Sequence, residues 1–145
     1  MKDRTRLVLI LVGGLAALAA LYIFQRTNYG LILLQAIGMV ASDNLIFIIN
    51  RTLRLLANDF VCVVMIFSVF KEKSYRQVTL AVFLIELLVI LPFYFLLKLY
   101  FEGSSEISSP LLSFIHRLIV NPTLMILTGM ALAYQKFVFP TLRKQ

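Results

Sequence analysis

The chain has 145 residues, 61% of them hydrophobic and 14% charged, with a mean hydropathy of +0.92. Soluble domains carry charge on about a quarter of their residues, so this composition describes one integral membrane domain, residues 1–145, without a second folded unit. The net charge of +7 does not point to nucleic acid: the basic residues cluster at the ends of apolar runs, not on a face with interleaved aromatics.

A short basic head with Lys2, Arg4 and Arg6 precedes an uncharged run from Leu7 to Phe24. Ala17-Leu18-Ala19 mimics a signal-peptidase site, but the apolar run continues past it and is long enough to cross a bilayer. Gly13, Ala16, Ala17 and Ala20 form small-xxx-small pairs that let a neighbouring helix approach closely. After the polar stretch Gln25–Tyr29 comes an apolar segment, Gly30 to Val40, too short to span. It is expected to be interfacial or re-entrant, against the outer face. Ser42-Asp43-Asn44 is a turn suited to cap the next helix.

Leu45 to Phe70 reads as one helix of about 39 Å, longer than the hydrocarbon core. Lys71–Gln77 is a basic loop, and Val78–Tyr100 is the next span, with Glu86 inside it and a kink expected at Pro92. A polar loop follows, in which Ser109-Pro110 reads as an N-cap and N1 proline. Leu111 to about Phe137 is the last helix and contains Asn121-Pro122. The expected fold is therefore all-α, a four-helix transmembrane bundle with spans near 7–24, 50–70, 78–100 and 115–137. Nine of the fourteen Lys and Arg residues lie in the head, the Lys71–Gln77 loop and the tail, which carries Lys136, Arg143 and Lys144. That asymmetry predicts cytoplasmic termini. Tyr22, Tyr29, Tyr94 and Tyr100 fit an outer aromatic belt, and Tyr75 and Tyr134 an inner one.

Polar residues at span mouths carry the functional signal, because charge at that depth costs roughly 2.5–3.5 kcal/mol per residue unless it is paired or faces a protein interior. Asn50, Arg51, Arg54, Asn58 and Asp59 form one such group, and His116, Arg117 and Asn121 a second. Arg51, Arg54 and Asn58 share a helix face, as do Arg117 and Asn121. Brought together, the two groups would make an outer polar patch for an anionic group, a peptide terminus or a partner helix. The alternative is a set of ion pairs that fix helix register, with the arginines reaching lipid headgroups. Asp59 is expected to be ionised and paired with Arg117. Glu86 is a further buried acid, expected to be protonated, hydrogen-bonded, or paired in a homo-oligomer. Arg54–Asn58 is echoed by Arg117–Asn121, which a duplicated two-span hairpin would produce.

One cysteine, Cys62, and one histidine, His116, leave no metal-ligand spacing, and no phosphate-cradling glycine loop or other cofactor motif occurs. A catalytic alternative would use Cys62 as nucleophile with His116 and Arg117, but a lone Cys in an apolar run usually packs. A small transporter is a further alternative and would need to oligomerise.

On NRTLRLLAND (Asn50–Asp59) and HRLIVNP (His116–Pro122), in a small four-span protein with a basic head, the chain resembles the exosortase F system-associated membrane proteins of Bacteroidota. The resemblance covers most of the chain. It implies the bacterial inner membrane and an accessory, non-enzymatic role in protein sorting beside an exosortase-like membrane partner. Exosortases resemble transpeptidases with Cys, Arg and His on separate membrane segments. Here His116 and Arg117 are adjacent, a departure that favours the accessory role.

Overall fold

The computed structural model describes residues 2–40, 42–103 and 109–138. Arg143 and Lys144 of the basic tail lie outside them. The described residues form helices and contain no strand. Helix α1 (Lys2–Ile23) ends in a 3₁₀ turn at Phe24–Arg26, and the short α2 (Tyr29–Ala36) follows. Helix α3 (Asp43–Val69) is the long central element. Helix α4 (Lys73–Ile85) passes through a π turn, Glu86–Ile90, into α5 (Leu91–Phe101). Helices α6 (Pro110–Val120) and α7 (Thr123–Ala133) complete the bundle, α7 running into a second π turn at Tyr134–Val138.

Arg4–Ile23, Asp43–Val69 and Lys73–Phe101 are each long and apolar enough to cross a membrane. The expected continuous last helix is instead broken. The α6 and α7 segments meet at 61°, and the pair makes a fourth span if counted as one. The cause is Pro122, which has no N–H to donate and restricts Asn121, found extended at ψ 142°. The echo between Arg54–Asn58 and Arg117–Asn121 is not structural. Asn58 lies inside a continuous helix, whereas Asn121 caps the end of one.

The local cues act as their chemistry requires. Ser42 and Ser109 each accept the backbone N–H three residues on, from Leu45 and Leu112, and so start α3 and α6. The irregularity expected at Pro92 is the π turn just before it, where the Leu91 N–H bonds the Glu86 carbonyl. An i+5 turn keeps Thr79, Glu86, Leu91, Tyr94 and Lys98 all buried, whereas five residues of plain α-helix would rotate the face away by about 140°.

Helix α3 presents Leu55, Asp59, Cys62 and Ile66, at spacings of four, three and four, as its buried stripe. This stripe joins two apolar clusters. One contains Leu55, Leu91, Tyr94, Leu112 and Ile119. The other contains Cys62, Ile66, Phe70, Met125 and Leu132. Outward positions such as Leu9, Val12, Leu88 and Leu96 are exposed and apolar, the surface a lipid-facing bundle needs. Close approach of α1 to α3 occurs at Gly14, where an added Cβ would sit 2.5 Å from Met65 Sδ, and not at Gly13, which faces open space.

Candidate functional site

Helix α2 is anchored on α3 through Gly30. Its N–H donates to Asn50 Oδ1 at 2.7 Å, and a Cβ there would lie 3.1 Å from the Ile46 carbonyl oxygen. The Asn50 amide also reaches Asn28 at 3.5 Å. Arg54 donates to the Gln25 carbonyl oxygen at the end of α1. Three segments thus converge where α3 is polar. Between them and α6 lies a partly open cavity of about 690 Å³, with Asn28, Asp43, Asn50, Arg51, Arg54 and His116 in its lining.

The side chains that meet there are mostly donors. The Arg51 guanidinium stacks 5.4 Å from the Phe47 ring centroid, and its Nε has no hydrogen-bond partner among the described residues. His116 Nδ1 lies 2.8 Å from the hydroxyl of Tyr94, which is fully buried. Tyr94 has no other acceptor in its described contacts, so satisfying its O–H assigns that proton to the bond with Nδ1. The imidazole hydrogen then sits on Nε2, a second donor. Arg51, Arg54, Lys98 and Arg117 all lie within electrostatic range of His116. Lys98 is neutralised by Glu102 at 3.1 Å. The cavity is therefore a positive, donor-rich site, with Asp43 on its exposed rim.

The structure divides the expected polar patch. Asn50, Arg51, Arg54 and His116 come together in this cavity. Asn58 and Asn121 line a smaller one of about 170 Å³, shared with Arg54 and Gln25. Arg117 is exposed and joins neither. It lies about 200° around α6 from the buried Ile119, which turns it out of the bundle.

Asp59 does not pair with Arg117. It sits on the buried stripe of α3, about 12 Å along the helix from Arg51, and its carboxyl faces that of Glu86 across the α3–α4 contact, with Oδ2 of Asp59 and Oε2 of Glu86 buried and without a hydrogen-bond partner among the described residues. Asp59 is thus one half of an acid pair, not an arginine partner, and Glu86 is paired within one chain.

Cys62 lies one turn further, in the apolar cluster with Ile66 and Met125, and lines a different, apolar cavity between α1, α3 and α7. His116 and Cys62 line different cavities, so the alternative catalytic grouping of Cys62, His116 and Arg117 is not assembled. Among the described residues no group of three or more His, Cys, Asp or Glu could hold a metal ion.

Two features were not singled out from sequence. Tyr94, assigned to an outer belt, is fully buried and orients His116. Lys98 is also fully buried. It pairs with Glu102 and donates to the Gly103 carbonyl oxygen at 3.1 Å, while Glu102 Oε1 accepts the Ser109 N–H at 2.8 Å. The spacing of a lysine and a glutamate at i, i+4 at a span end was the available signal.

No family model, no curated protein and no solved structure matches this chain.

Proposed function

We propose that the chain is a non-enzymatic accessory subunit of a membrane complex, and that its outer cavity holds an anionic group of a partner. The observation that carries this is the convergence of Arg51, Arg54 and His116 on one cavity, with donors and positive charge in excess of the single acid Asp43. Guanidinium forks bind carboxylate and phosphate in two-point geometry, which suits a peptide terminus or acidic side chain at the membrane face. The resemblance carried by Asn50–Asp59 and His116–Pro122 makes an exosortase-type enzyme of the bacterial inner membrane the partner to test. In this reading the cavity faces outward, and both termini are cytoplasmic.

The test is co-purification of the two proteins in mild detergent. Arg51→Gln with Arg54→Gln should abolish the complex while the subunit stays folded at its normal level. Complex retained by this variant would overturn the proposed site.

A second reading, a small oligomeric transporter, is favoured by one observation: the Asp59–Glu86 acid pair at the start of a π turn inside the bundle. Proton flux into vesicles that is lost in Glu86→Gln would support it.

A further inference from the structure

At the opposite end of the bundle, the first turns of α1, the end of α3 and the start of α4 border a separate, partly open cavity of about 410 Å³. Arg4, Arg6, Lys71 and Arg76 line it, and no acid does. Glu72, which follows Lys71 at the start of α4, is taken by Lys136 at 3.1 Å. None of the four basic residues has an ion pair among the described residues. Arg76 is held in place, its guanidinium 5.3 Å from the Phe67 ring centroid, so less side-chain freedom is lost when it binds. Four unpaired cations around one hollow repel one another, and a bound anion relieves that repulsion.

The lower wall of the cavity identifies the anion. Leu7, Ile10 and Val69 line it and continue into the apolar faces of α1 and α3. A ligand that fills both parts carries negative charge at one end and hydrocarbon at the other, with the hydrocarbon running along the spans into the bilayer. We infer that this cavity binds the headgroup phosphate of an acidic phospholipid, with the acyl chains lying along α1 and α3. The site is independent of the outer cavity and of the function proposed for it.

The test is native mass spectrometry of the full chain in non-ionic detergent, titrated with phosphatidylglycerol and, separately, phosphatidylcholine. One phosphatidylglycerol should be retained per chain, and phosphatidylcholine should be retained about tenfold less well. Arg6→Gln with Arg76→Gln should weaken phosphatidylglycerol binding about tenfold or more. Arg6→Lys with Arg76→Lys, which keeps the charge, should bind within a few-fold of the parent. Arg51→Gln with Arg54→Gln, at the other end, should leave binding unchanged. Equal retention of the two lipids would overturn the inference, as would unchanged binding in the doubly neutralised variant. Displacement of the lipid by millimolar inorganic phosphate would overturn it too, and would assign the pocket to the free ion.

Discussion

The hydroxyl of Tyr94 lies 2.8 Å from Nδ1 of His116, bridging α5 to α6 at the wall of the cavity that Arg51 and Arg54 line. The ring of Tyr94 packs with Phe47 and Phe95, so its position is set by the core, and His116 inherits that position. Tyr94→Phe keeps the packing and removes only the donor. It should reduce stability by about 1 kcal/mol, the net worth of a typical hydrogen bond, with a corresponding fall in the detergent-solubilised melting temperature. Partner binding should fall further than stability does, because His116 loses its fixed tautomer.

The acid pair predicts a pattern that an Asp59–Arg117 bridge would not. Asp59→Ala strands the buried Glu86 carboxyl and should destabilise by about 1–3 kcal/mol. Asp59→Asn, which can still share a hydrogen bond with Glu86, should be much milder. Arg117→Ala, at an exposed position, should lie within about 0.5 kcal/mol of the parent. A double-mutant cycle between Asp59→Ala and Glu86→Leu should show coupling of about 0.5–3 kcal/mol, and one between Asp59→Ala and Arg117→Ala should show none.

Lys98 is fully buried and ion-paired with Glu102, and removing the lysine takes the charge partner from a carboxylate that is itself almost fully buried. Lys98→Ala should therefore cost about 3–5 kcal/mol and loosen the α5–α6 connection. Lys98→Met together with Glu102→Gln removes both charges at similar volume. It should recover most of that loss in thermal unfolding.

Gly30 is the contact point between α2 and α3. A methyl group there presses on the Ile46 carbonyl oxygen, which is backbone and cannot swing aside. Gly30→Ala should destabilise by about 1–3 kcal/mol and detach α2. Faster hydrogen exchange over Tyr29–Ala36 would report it. Gly13→Ala, in open space, should be close to neutral.

The proposed orientation is tested by thiol labelling in a Cys62→Ala background. Thr27→Cys, in the lining of the outer cavity, should react with an impermeant reagent from outside intact cells, and Ser74→Cys should react only after the membrane is opened. The reverse pattern would invert the topology.

What the sequence determined alone was the part of the fold governed by local chemistry and by the bilayer as solvent. Continuous apolar runs had to become helices, because no other single segment satisfies its backbone in hydrocarbon. Ser42 and Ser109 set helix starts through contacts three residues away, and periodicity put Arg51, Arg54 and Asn58 on one face of α3, of which Arg51 and Arg54 reach the larger cavity and Asn58 the smaller one. Which groups met across helices was not legible. Asp59 meets Glu86, and His116 bonds Tyr94, over separations of 27 and 22 residues. Such pairings depend on the rotation of each helix about its axis, and two local events set that rotation. The π turn at Glu86 carries the buried face of α4 into α5, and the break at Asn121-Pro122 directs α6 away from α7. One residue more or less in either place would have turned Tyr94 or His116 away from the core, and composition alone does not register that difference.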